Sequence, residues 1–380
     1  MMKIVYLHEY IICPGGLERI FVEKMNYLAD RLHHDVYLVT SSQGNHPFSF
    51  PISKQVKHID LAVPFHLPYR YPYPKRLWAR IKTELLFKKR LQEVIDNISP
   101  DFIICTSAWR PDAACKVKGK AKKIIESHCA KAYTPIPHNR TMGLLKDMLN
   151  MFNAHKRFRI IEKHADVVVT LTHADAKAWE KAPKVCTIPN FTEFIQPQSS
   201  TCKVHRAIAV GRLTYQKGFD RLIDAWKIVN RQYPDWKLDI FGEGIYREAL
   251  TSQISDNHLD NTITIHPPTP HIMQEYLNSS IFILSSNYEG FALVLIEAMA
   301  CGVPCVSFDC PHGPSEIIKD KEDGFLIKNG DVKGLAAAIC LLTKDEVKRK
   351  EFSKRAKENV LRFSAGTVMA QWNHLLEDML

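Results

Sequence analysis

Two glutamates, Glu289 and Glu297, bracket the apolar run Gly290-Phe291-Ala292-Leu293-Val294-Leu295-Ile296 directly after a strand-like segment, Ile281 to Leu284. A turn, a glycine and a helix start at the carboxyl end of a strand form the place where open α/β sheets take their ligands. The spacing predicts a helix over about Ala292 to Ala300, stopped by Cys301-Gly302-Val303-Pro304. Residues eight apart on a helix lie about 80° apart around its axis, so both carboxylates are expected beside one cleft. A buried apolar helix has no structural need for either acid.

Three more strand ends carry residues of the same kind. The first strand leads through His8 to Cys13 into Pro14-Gly15-Gly16-Leu17-Glu18-Arg19, where adjacent glycines open a helix. They let a ligand approach the backbone and turn amide donors toward an anion, although a plain conformational turn also uses Gly-Gly. Gly211-Arg212-Leu213-Thr214-Tyr215-Gln216-Lys217-Gly218 repeats that logic after the strand Ala207 to Val210. Its arginine and lysine, five residues apart, are suited to a diphosphate leaving group, and as solvated surface residues they would be unremarkable. His128 follows the segment Lys123 to Glu126, in a position to donate to a sugar oxygen or to developing negative charge. A fourth loop, Cys310 to Ile318, contains Gly313 and Pro314, which either line the cleft or serve only the turn.

The elements that position these loops alternate between short β-rich runs and helical stretches. Strands are expected at Ile4 to Leu7, Val36 to Val39, Phe102 to Cys105, Ile124 to Ile125, Val167 to Leu171 and Val185 to Ile188. The pattern restarts at Ala207 to Val210, Leu238 to Phe241, Ile263 to Ile265, Ile281 to Leu284 and Val303 to Val306. Two such series imply two doubly wound α/β domains with parallel sheets. We expect the first over 1–190 and the second over 191–364, with the joint near Pro189-Asn190-Phe191. Residues 365–380 form a last helix with Val368, Trp372 and Leu375-Leu376 on one face, which needs a domain to pack against. The proline- and aromatic-rich stretch 43–75 resists a regular assignment, and Lys116 to Lys123 reads as a charged loop. Loops around 43–75 and 130–142 are the expected acceptor side.

The chain has 380 residues, 46% hydrophobic and 24% charged, enough for two ordinary globular cores. No apolar run approaches the roughly 18 residues that span a bilayer, and the N-terminal apolar stretch is too short for a secretory signal. A cytoplasmic protein is expected, with its ten scattered cysteines reduced. Cys301, Cys305, Cys310 and His312 superficially resemble a zinc set, but they fit no compact knuckle, so no metal is expected.

The net charge of +10 is uneven: residues 1–190 hold 30 Lys+Arg against 17 Asp+Glu, and residues 191–380 hold 21 against 24. The densest run, 75–90, mixes cations with apolar and aromatic residues at helical spacing. It reads either as a basic amphipathic helix for an anionic membrane or as an ordinary solvated face.

Together the Gly15-Gly16 loop, Gly211-Arg212-Leu213 with Lys217-Gly218, the Glu289/Glu297 pair and the loop Gly313 to Ile318 resemble the GT-B glycosyltransferases, specifically the retaining enzymes of glycosyltransferase family 4. The likeness extends over nearly the whole chain. It implies two Rossmann-like domains facing a cleft, with the nucleotide-sugar held by the second. It further implies Glu297 on the ribose hydroxyls, Arg212 and Lys217 on the diphosphate, and Glu289 with the Gly290, Phe291, Ala292 and Leu293 backbone on the donor sugar and phosphate. Gly211 lies in the same loop, His266 would flank the base, His128 would face the sugar, and Gly15 and Gly16 would lie near the phosphates. The implied reaction is metal-independent hexosyl transfer, with no cofactor beyond a donor expected to be UDP-linked.

The Gly313-Pro314-Ser315-Glu316 variant is similar to that of bacterial enzymes making exopolysaccharide, capsule or lipopolysaccharide. A glycan or lipid-linked acceptor and peripheral contact with the inner face of the plasma membrane follow by analogy. Two alternatives remain at this level. One is a GT-B sugar phosphorylase or nucleotide-sugar epimerase using the same cleft. The other is a non-catalytic binder of anionic lipid or nucleic acid, although aromatics interleave with cations only in the 69–90 stretch, and no nucleic-acid partner is expected.

Overall fold

A computed structural model describes residues 1–12, 15–133, 143–195 and 197–380. Cys13, Pro14 and most of the 130–142 loop expected on the acceptor side lie outside the described residues. The chain divides into two compact units between Ile188 and Pro189, and Met369–Leu380 belongs to the first.

The first unit holds β1 (Lys3–His8), β2 (Asp35–Thr40), β3 (Lys57–Asp60), β4 (Phe102–Thr106), β5 (Lys122–Ser127), β6 (Val167–Thr170) and β7 (Val185–Thr187). Their order in the sheet is β3-β2-β1-β4-β5-β6-β7 and every pairing is parallel. The second unit holds β8 (Arg206–Val210), β9 (Lys237–Phe241), β10 (Ile263–His266), β11 (Ile281–Leu284), β12 (Cys305–Asp309) and β13 (Gly324–Lys328), ordered β10-β9-β8-β11-β12-β13 and again all parallel. β-branched and aromatic runs such as Val167 to Val169 and Ile281 to Ile283 are buried on both faces, as parallel strands under helices must be. In each sheet the winding reverses once, between β1 and β4 and between β8 and β11. Ligands settle beyond the carboxyl ends of strands at such reversals.

Three departures from the sequence expectations have plain causes. β3 reads Lys57-His58-Ile59-Asp60, an edge strand with no apolar alternation that pairs only with β2. Its polar side chains bond to that neighbour, with Lys57 Nζ 2.6 Å from Asp35 Oδ1 and the Thr40 hydroxyl 2.8 Å from His58 Nε2. β12 starts at Cys305 rather than Val303 because Pro304 has no N–H; its carbonyl alone pairs, accepting from the Phe282 amide at 2.9 Å. Lys116 to Lys123 is not a loop throughout, since it contains the end of a helix, Pro111–Lys116, and the start of β5.

The helix predicted at 75–90 runs over Lys75–Ile98. Its later residues Phe87, Leu91, Ile95 and Ile98 enter the core, whereas Leu77, Trp78, Ile81 and Leu85 are exposed. The last helix spans Ala365–Glu377, and Val368, Trp372, Leu375 and Leu376 are buried along one face. Among the described residues no helix is long and apolar enough to cross a membrane.

Candidate active site

In the second unit the loops after β8 and β11 meet at the winding reversal. Beyond β8 the backbone passes Gly211 to a short 3-10 turn, Tyr215–Lys217, and then Gly218, which adopts φ +58° and leads into the helix Phe219–Gln232. A side chain at Gly218 would overlap the Ser285 carbonyl, so the residue's left-handed conformation and its contact with the β11 loop both require glycine. Lys217 lies across the face of Gly211, where an added methyl would meet its Cε at 3.0 Å and its Cδ at 3.1 Å. From there Lys217 Nζ reaches Glu289 Oε1 at 2.7 Å, and the Ser286 hydroxyl donates to the same oxygen at 2.5 Å. The side chains of Lys217 and Glu289 are only 13% and 6% exposed. The loops are laced together by Asn287 N donating to the Gln216 carbonyl at 2.7 Å and Ser285 Oγ to the Lys217 carbonyl at 2.9 Å.

The two cations expected to act alike do not. Lys217 is built into an ion pair, while Arg212 is exposed, with one long contact of 3.4 Å from its guanidinium to Gln216 Oε1. The two glutamates do not share the one helix that their spacing predicts. Ala292 stands at the N-cap with φ +63°, the helix spans Leu293–Ala300, and Glu289 therefore belongs to the preceding turn. Glu297 sits on the helix, 4% exposed, and accepts from the Tyr276 hydroxyl at 3.2 Å. Gly290, Phe291 and Ala292 form the turn between the two acids, and Gly313, at φ +113°, packs so closely on it that an added methyl would meet the Phe291 carbonyl oxygen at 2.8 Å. His266 ends β10, stacked on Phe241 with ring centroids 4.6 Å apart, its Nε2 2.8 Å from Asp239 Oδ1. Asp239 also pairs with Arg206, so His266 is fixed by a structural charge cluster.

In the first unit β5 ends at Ser127, and the turn carrying His128 is pinned on both sides by one buried acid. Asp175 accepts from Ser127 Oγ at 2.7 Å through one oxygen and from the Lys131 amide at 2.7 Å through the other. His128 is buried, and its Nε2 lies 2.7 Å from Glu126 Oε2. That oxygen also takes the ammonium of Lys24. Burial alone would raise the Glu126 carboxyl, but Lys24 and His128 hold it down to about 2. His8, at the end of β1, is pushed down to about 4 by burial, against the pull of its Tyr10 carbonyl contact and with His128 nearby. Gly16 begins the helix Gly16–Asp30 with Gly15 at its N-cap, and a side chain at Gly15 would collide with the Glu18 carboxylate. An anion at that helix end has to displace an acid already there.

Sequence reasoning passed over Lys24, Glu126 and Ser286. Two of the three had a signal. Lys24 occupies a core position of the apolar stripe Ile20, Phe21, Met25, Leu28, and Glu126 lies in a strand buried on both faces; a charge in either place demands a partner. Ser286 had none, because a serine after a strand is ordinary turn chemistry. Cys301, Cys305 and Cys310 are buried free thiols, and no group of three His, Cys, Asp or Glu side chains converges among the described residues.

Residues 191–359 match the family model for glycosyl transferases group 1. Over 99% of its length the chain is 26% identical to an uncharacterized glycosyltransferase of Haemophilus influenzae, covering 100% of that protein. It is 38% identical over 56% of its length to the amylovoran biosynthesis glycosyltransferase AmsD of Erwinia amylovora, covering 62% of it. Among solved structures it resembles Anabaena HepE in complex with UDP-glucose, with a TM-score of 0.75, 18% identity and 100% of both chains covered. The second unit therefore carries a glycosyltransferase domain, and the two Rossmann-like units are those of a GT-B fold.

Proposed function

We propose that this glycosyltransferase is a retaining, metal-independent enzyme of family 4 that moves a hexose from a UDP-sugar to a glycan or lipid-linked acceptor in bacterial surface polysaccharide synthesis. The observation that carries the reading is the buried Lys217–Glu289 pair at the winding reversal of the second sheet, held on glycine-backed loops. The name of the relative AmsD as an amylovoran biosynthesis glycosyltransferase supports a role in polysaccharide synthesis, and the complex of HepE with UDP-glucose supports a UDP-linked donor.

In the proposed reaction the anomeric C–O bond breaks with its electron pair passing to the β-phosphate oxygen. Positive charge spreads over the sugar ring. The acceptor oxygen bonds to the anomeric carbon on the same face, and its proton goes to the departing phosphate. Lys217 and Arg212 stabilise the growing negative charge on the diphosphate, and Glu289 holds Lys217 in place beforehand, so that little reorganisation is needed as charge develops. Glu297 takes the ribose hydroxyls, which a carboxylate accepts as a pair.

Membrane contact is the second part of the proposal. On the helix Lys75–Ile98, Leu77, Trp78, Ile81 and Leu85 recur at helical spacing, with Trp78 73% exposed, among Lys75, Arg76, Arg80, Lys82 and Lys88. An amphipathic surface of this kind inserts its aromatic residues between headgroups while its cations meet anionic lipid.

Incubation with a panel of nucleotide-sugars and candidate glycans, followed by mass measurement, tests the activity. Release of UDP with a product one hexose heavier is expected; no nucleotide release and no thermal shift with any donor would overturn it. Sedimentation with vesicles tests the second part: salt-sensitive binding to anionic vesicles is expected, and equal binding to neutral ones would refute it.

A further inference from the structure

We infer that Arg221 is a positioning residue of the donor site, whose guanidinium ties the end of β11 to the end of β13 and so fixes the loop that seats Lys217 and Glu289. The inference rests on the glycosyl-transfer reading for its ligand, a nucleoside diphosphate, and on the side chains for the clamp itself. Arg221 stands in the first turn of the helix Phe219–Gln232. A cation there opposes the helix dipole, so local electrostatics do not call for it. Tertiary contacts do. Its Nη2 donates to the Ser285 carbonyl at 2.6 Å and its Nη1 to Asn329 Oδ1 at 3.2 Å. The guanidinium lies 4.7 Å from the centre of the Phe308 ring, a buried residue of β12. Gly218 makes room for the plane, since an added methyl would meet Nη2 at 2.9 Å and Nε at 3.1 Å. Nε itself is buried with no hydrogen-bond partner, so the side chain leaves one donor unpaired to keep its two Nη contacts and the ring.

From these two bonds the order passes to the β11 loop. Ser285, held by its carbonyl, donates its hydroxyl to the Lys217 carbonyl at 2.9 Å, and its neighbour Ser286 donates to Glu289. Asn329, held by its Oδ1, donates through Nδ2 to the Asn287 carbonyl at 3.1 Å. Asn287 in turn donates its amide to the Gln216 carbonyl at 2.7 Å and its side chain to the Tyr215 carbonyl at 2.5 Å. Residues 285 and 287 are thus pinned by the two arms of one fork, and the serine between them carries the hydroxyl on Glu289. Both oxygens that the fork reaches are neutral, so what Arg221 supplies to them is direction. A lysine has no planar fork and reaches one of them at a time.

Two variants of the full chain test the clamp. Arg221→Lys keeps the charge and loses the fork, and Asn329→Ala, at an exposed position, removes the partner of one arm. The readout that needs no ligand is amide hydrogen exchange at Asn287. It should be about 10-fold faster in both variants, with the amides of β8 and β9 unchanged. Calorimetry with UDP should show about 10-fold weaker binding to Arg221→Lys than to the native chain. With an active donor in hand, the KM for donor should rise by about the same factor while kcat changes less; a role in folding alone would lower the active fraction and leave KM as it was. Native-like exchange at Asn287 in both variants overturns the clamp. Faster exchange with native UDP affinity in Arg221→Lys overturns its bearing on the donor site. If the native chain binds no UDP, the exchange still judges the clamp, and the donor reading is what fails.

Discussion

Replacing Lys217 by methionine separates an interaction that builds the site from one that only decorates it. Methionine keeps most of the stem that packs on Gly211 and removes the charge. Glu289 is then left 5% exposed with the Ser286 hydroxyl as its remaining side-chain partner at 2.5 Å. Stranding a buried carboxylate in this way costs about 3–5 kcal/mol, and because the Lys217 side chain is 13% exposed, the loop can admit some water and the lower end applies, about 3 kcal/mol. Removing the charge as well, in Lys217→Met with Glu289→Gln, should recover about half of that, so that with the single Glu289→Gln variant the cycle gives a coupling of at least about 1.5 kcal/mol. Two compact units do not unfold as one transition, so the stability is best read through urea-dependent hydrogen exchange of β8 and β11. A single variant as stable as the native chain, or a double variant showing additive losses, would refute the claim that this pair holds the two loops together.

Other changes test separate parts. Below pH 6.5 the unfolded chain protonates His8 while the folded chain does not until about pH 4, so the first unit should lose stability across that window as pH falls. The slope is on the order of 1 kcal/mol per pH unit, and it should flatten in His8→Leu when melting is followed against pH. Trp372→Ala removes a fully packed indole and the ring over Lys24, for a loss of about 3–5 kcal/mol in the first unit by the same exchange measurement. Gly242→Ala forces a methyl into the Gly211 carbonyl and should lower donor turnover more than Gly366→Ala, which meets nothing within 4 Å. Trp78→Ser should weaken attachment to anionic vesicles with no change in melting temperature, since the ring is exposed.

The strand series was readable because parallel strands covered by helices are short apolar runs, and each of the five strands expected in that series for the second unit overlaps an observed one. β3 was not, because its partners are polar and its position at an edge is set by the fold rather than by its own sequence. The loops of the second unit announced themselves by glycine and charge at strand ends. What spacing could not reveal was which charges would meet: Lys217 and Glu289 are 72 residues apart and are joined by the adjacency of β8 and β11. The same holds for Lys24 and Glu126, 102 apart. Gly15 and Gly16 were read either as an amide site for an anion or as a plain conformational turn, and the Glu18 carboxylate, one turn along, already lies against Gly15.

The central claim is that the β8 and β11 loops receive the diphosphate of a nucleotide-sugar, with Lys217 as the fixed cation. Calorimetric titration of UDP into the native chain, Lys217→Met and Arg212→Met puts it to the test. The account predicts saturable binding to the native chain, at least 10-fold weaker in Lys217→Met, the loss of one charge-assisted contact. Native-like binding of UDP by Lys217→Met, or no binding of UDP by the native chain, would contradict it.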